Sequence, residues 1–123
     1  MSLEWIEHEG QEILLIDVAN LRDDHGLLTL NLASLVKLLK DEPTKSVLAV
    51  ADFRNTNLSN KAVMALIKHA PLAAPHFRKS ALVIEPSPAR SVILDTLGQF
   101  VDRLPKRFRN LEEAKNWLVS NEH

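Results

Sequence analysis

Between the apolar run SVLAVA and an amphipathic segment that begins at Asn60, the loop DFRNTNLS holds Asp52, Thr56 and Ser59 close together. A carboxylate and two hydroxyls at the end of a strand and the start of a helix stand where parallel α/β sheets usually carry their function. A phosphate on either hydroxyl would meet unpaired backbone amides and the positive end of the helix dipole, so its charge is tolerated and can alter a contact. The same residues also have purely local uses, Ser59 as the helix cap and Asp52 as a cap on the loop. Thr56, between Asn55 and Asn57, has no helical role and is expected to be the more available hydroxyl.

Other chemistries find less support. The three glycines, Gly10, Gly26 and Gly98, lie far apart, so no turn can close backbone amides on a phosphate as Rossmann and P-loop turns do. His8, His25, His69, His76 and His123 show no paired helical spacing and join no acidic residues in a ligand set, so they read as scattered surface histidines. No serine sits in a nucleophile elbow, and the absence of cysteine removes thiolates, disulfides and cysteine-bound zinc together. The expectation is a protein without catalytic constellation, metal or cofactor.

The elements that must position the loop follow from periodicity. LEWIEH alternates and EILLIDVA follows a turn at Gly10, which predicts a hairpin whose second strand is covered on both faces. Leu28, Leu32, Leu35, Val36 and Leu39 define one face of a helix from about Leu27 to Lys40, stopped at Pro43. SVLAVA and SALVIE are further buried strands. The helix after Ser59 is expected to turn Val63, Leu66, Ile67 and Ala70 inward, with Pro71 and Pro75 marking its frayed or broken end. A third helix is capped by Ser87 with Pro88 in its first turn, and Val92, Ile93, Leu97, Phe100 and Val101 face inward.

KRFR reads as a short charged edge strand, and NLEEAKNWL as a last helix with Asn110 and Glu113 in capping-box spacing and Leu111, Ala114, Trp117 and Leu118 buried. The run of Arg103, Lys106, Arg107 and Arg109 offers charge to an anionic partner, or simply keeps an edge in solvent. Leu27, Leu30 and Leu38 are surplus to the first helix's core stripe and form a candidate dimer surface. The resulting β-β-α-β-α-β-α-β-α order predicts one α/β domain over residues 1–123: a mostly parallel sheet of about five strands, the first antiparallel, with four helices packed on it.

Composition sets the outer limits. With 123 residues, 46% hydrophobic and 25% charged, the chain has an ordinary globular make-up. A net charge of -1 argues against a nucleic-acid-binding domain. Acidic residues stand where a signal peptide needs positive charge, and no segment has the length of a membrane span, so a cytoplasmic location is expected.

Over nearly all its length the chain resembles the bacterial SpoIIAA-like proteins of the STAS class, named for sulfate transporters and anti-sigma factor antagonists. The likeness rests on the Trp5 strand with ILLIDV, the DFRNTNLS junction, KSALV in the fourth strand and the closing LEEAKNWL. It implies a non-enzymatic regulatory domain that binds a protein partner, of anti-sigma-factor or kinase-like type, under control of phosphorylation at the start of the helix after the third strand. In well-known members the acceptor serine directly follows the aspartate. Here Phe53 follows Asp52, and the nearest hydroxyls are Thr56 and Ser59. Related lipid-carrying folds share the strand-helix alternation, which leaves a carrier or sensor of a small apolar or lipid ligand as the second reading. A deep apolar cavity under the second and third helices would favour it, and a closed surface the regulatory module.

Overall fold

The structure, a computed structural model, describes residues 2–101 and 103–122. Its elements run β1 (Ser2–His8), β2 (Gln11–Asp17), α1 (His25–Leu39), β3 (Val47–Asp52), α2 (Asn60–Ala73), β4 (Phe77–Val83), α3 (Pro88–Leu97), β5 (Lys106–Phe108) and α4 (Leu111–Val119). The strands lie side by side in the order β1-β2-β3-β4-β5. β1 is antiparallel to β2, and all later pairings are parallel. The α/β architecture, with four helices on a mostly parallel five-stranded sheet, is the one expected.

The hairpin is held by its turn. Glu9 and Gly10 have φ of 50° and 78°, the pair of left-handed residues that a two-residue loop needs to match the twist of its strands. Nothing lies within 4 Å of where a Gly10 Cβ would be, so conformation rather than space calls for glycine.

Each parallel crossover steps one strand further in the same direction, and the preferred right hand of such connections puts successive helices on one face. α1, α2 and α3 share that face, where they cover Leu14 and Ile16 of β2, Val47 and Ala49 of β3, and Leu82 of β4. α4 lies on the other, with Ala114 and Leu118 against Ile13, Leu48, Val50, Ala81 and Val83. Successive residues of one strand enter different cores, so these strands read as unbroken apolar runs. On the α4 side, Phe108 and Trp117 meet with centroids 5.7 Å apart. There Lys79 Nζ donates to the carbonyls of Trp117 (2.6 Å) and Ser120 (3.2 Å), and burial holds its ammonium below the usual lysine range.

Two helices are rotated from their expected faces. α2 buries Ala62, Ala65, Leu66, His69 and Ala73, leaving Val63, Ile67 and Ala70 half-buried. It is the middle helix of the three, and the small Ala62, Ala65 and Ala73 on its buried side allow it to pack closely on α1; the hydrophobic order of its residues does not record this. α2 ends, as expected, in the stretch marked by Pro71 and Pro75. It runs on to Ala73, the Ala74 amide bonds the Ala70 carbonyl, and a 3-10 turn at Ala74–His76 ends it. In α3 the buried residues are Leu94 and Leu97, while Val92 is 65% exposed. Because the helix stops at Leu97, the helical period no longer applies at Phe100, which is also exposed.

Candidate functional site

The loops after β2 and β3 leave the carboxyl edge of the sheet together, Asp17 in register with Asp52. Asp52, 5% exposed, accepts from the Arg54 amide (3.1 Å) and takes the Arg54 guanidinium in a two-point bond, Nε at 3.0 Å and Nη2 at 2.7 Å. That hydrogen bond, and the charge of Asp52 behind it, raise the pKa of Arg54 further. The carboxylate is thus occupied within its own loop.

Thr56 is 1% exposed. Its Oγ1 donates to the Val18 carbonyl at 2.5 Å and accepts from the Leu21 amide at 3.1 Å. On either side of it the Arg22 amide donates to the Asn55 carbonyl (3.0 Å) and the Asn57 amide to the Arg22 carbonyl (2.8 Å), a short parallel bridge between the loops. This corrects the expectation that Thr56 is the available hydroxyl: it is sealed, and both its hydrogen-bonding capacities are in use. Ser59 is the exposed one, and its Oγ accepts from the Ala62 amide at 3.3 Å as the N-cap of α2. The cap follows from local sequence, whereas Thr56 is buried by a loop 38 positions away.

Beside this bridge an open polar cleft of about 410 Å³ is lined by Asn20, Arg22, Asn55, Asn57, Glu85 and Arg90. Arg90 reaches across it to the Thr56 carbonyl (3.3 Å) and lies 3.6 Å from Glu85, whose other oxygen accepts from the Asn55 amide (3.0 Å).

A second space, apolar and about 140 Å³ in volume, lies on the three-helix face between α2, α3 and the sheet. α2 packs closely on α1 and only loosely on α3. α3 is short and buries just two leucines, and Ala49, Ala51, Ala70, Ala73 and Ala74 leave room that larger side chains would fill. Arg103 and Leu104 are the exposed members of the lining, so the cavity meets solvent at the segment between α3 and β5. Its polar members are His69, Ser80 and Arg103.

His69 corrects the view of the histidines as surface residues. It is 7% exposed, and its Nδ1 lies 2.8 Å from the Ala65 carbonyl oxygen. Among the described residues no His, Asp and Glu cluster is placed to hold a metal ion, and His123 lies outside those residues. The sequence signal for the cavity was the density of alanine in SVLAVA and APLAAP; alanine alone, however, does not separate close packing from a gap.

The three leucines of the candidate dimer surface do not share one environment. Leu30 is 65% exposed, Leu27 is half-buried, and Leu38 packs against the core, which corrects its placement as surplus. Two members of the basic run are engaged within the domain: Arg103 donates to the Arg78 carbonyl (3.0 Å), and Arg107 to Ser91 (3.3 Å) and Asp95 (3.4 Å). Among the described residues no helix is long and apolar enough to cross a membrane. Compared with known proteins, the chain matches no family model, no curated protein and no solved structure.

Proposed function

We propose that this domain is a non-enzymatic binding module whose ligand is a small apolar molecule held between α2, α3 and the sheet. The observation that supports the reading is the apolar cavity of about 140 Å³, open at one end beside Leu104. Protein interiors are close-packed, and a gap of this size forfeits contacts that a ligand restores. A cavity of roughly 150 Å³ lined by aliphatic and aromatic groups holds benzene. The test is calorimetric titration with benzene and toluene. Saturable binding to one site is expected, and its absence would sink the proposal.

A regulatory module that binds a protein partner is the second reading, carried by the resemblance to anti-sigma factor antagonists. What favours it in the structure is the polar cleft, exposed where the loops after β2, β3 and β4 converge. If phosphorylation controls such a partner, Ser59 is the hydroxyl a kinase can reach. Pull-down with wild type and with Arg22→Glu, followed by phosphopeptide mapping, tests it; a partner retained equally by both would remove the cleft from the reading.

A further inference from the structure

We infer that the ligand of the apolar cavity carries a hydroxyl group, a phenol or a compact alcohol, received by Nε2 of His69; this rests on the apolar-ligand reading above. The Ala65 carbonyl oxygen, 2.8 Å from Nδ1, can only accept, so Nδ1 carries the hydrogen. In neutral imidazole the other nitrogen then presents a lone pair.

Nε2 makes no hydrogen bond to any described residue. It is also not sealed: the polar atoms both sealed and unpartnered among the described residues are Asn31 Nδ2, Arg90 Nη1 and Trp117 Nε1. Nε2 is therefore not sealed by neighbouring atoms, and His69 is one of three polar residues that line the cavity. A purely apolar ligand would cover that lone pair and leave it without a donor, which costs affinity. A donor on the ligand satisfies it.

Ser80 adds a second neutral polar group to the lining. It shares the sheet face of Leu82 and Ile84, which point into the same three-helix core, and it too lines the cavity. A serine hydroxyl can donate where the histidine nitrogen only accepts. A ligand hydroxyl can donate to His69, whereas an ether offers it nothing. The volume of about 140 Å³ is of the size that holds one six-membered ring, and the open end beside Leu104 leaves room for a small substituent.

The experiment titrates the whole chain with phenol, benzene and anisole by calorimetry, in wild type and in His69→Phe, which keeps a ring and removes the lone pair. Wild type should bind phenol about tenfold more tightly than benzene or anisole. In His69→Phe that preference should fall to within about twofold. In wild type the 15N resonance of His69 Nε2 should move with phenol and not with benzene, a readout that holds even if the variant fails to fold. Equal binding of phenol and benzene by wild type, with the Nε2 resonance unmoved, would overturn the hydroxyl inference and leave the apolar site standing. Binding of none of the three would overturn both.

Discussion

Thr56 and Val18 are joined by a 2.5 Å hydrogen bond from the threonine hydroxyl to the valine carbonyl, with both residues buried. The bond ties the loop after β3 to the loop after β2, and the Leu21 amide closes it from the other side at 3.1 Å. Thr56→Val keeps the shape and removes both partners' hydrogen bonds, so the Val18 carbonyl and the Leu21 amide are left unpaired. The expected cost is about 1–3 kcal/mol. Thr56→Glu, which puts a buried charge in the same place, should cost more. Thermal melts of the two variants check this; a melting temperature unchanged by Thr56→Glu would mean that the loop opens freely and that Thr56 is available to a kinase after all.

Ser59 behaves differently because its hydroxyl is exposed and serves one helix end. Ser59→Ala should cost about 1 kcal/mol, the usual loss of an N-cap. In a chain of this size that lowers the melting temperature by about 3–5 °C. Ser59→Asp restores a capping oxygen and adds charge at the favourable end of the dipole, so it should melt near wild type. If Ser59→Ala melts as wild type does, the Ala62 amide finds water as readily as the serine.

Local signals were legible in the sequence, and distant ones were not. Ser59, Ser87 and Asn110 each cap a helix, because a cap needs only a side chain three positions from the amide it meets. β2, β3 and β4 were legible because burial on both faces leaves an unbroken apolar run. The burial of Thr56 depends on Val18 and Leu21, and nothing in NTN reveals them. For α2, Val63 and Ile67 are more hydrophobic than Ala62 and Ala65, yet the alanines are buried, because close approach to a neighbouring helix selects for small volume. The gap between α2 and α3 is a property of how far apart two helices sit, which no single segment encodes.

Leu30 and Leu38 separate a surface leucine from a core one. Leu30→Glu changes an exposed position on α1 and should stay within about 0.5 kcal/mol of wild type. Leu38→Glu drives a carboxylate into the packing against the three-helix core and should cost about 2 kcal/mol or more. One exposed leucine is an ordinary surface feature, so light scattering should return the same mass for wild type and Leu30→Glu. A lower mass for Leu30→Glu would instead support self-association through α1.

The cavity makes the most demanding prediction, because one substitution should raise stability and abolish binding together. Ala70 lines the cavity from the half-buried side of α2, where a longer side chain can extend into existing space. Ala70→Leu adds three carbons, and filling a gap with apolar atoms commonly gains about 0.5–2 kcal/mol. Its melting temperature should therefore equal or exceed that of wild type. In wild type, benzene at ten times its dissociation constant should add about 1.4 kcal/mol through mass action, a rise of several degrees. In Ala70→Leu the same concentration should add nothing, since the leucine occupies the ligand's volume. A variant that is destabilised yet still responds to benzene would place the binding elsewhere, and one that gains stability while wild type ignores benzene would make the cavity a packing defect and no site.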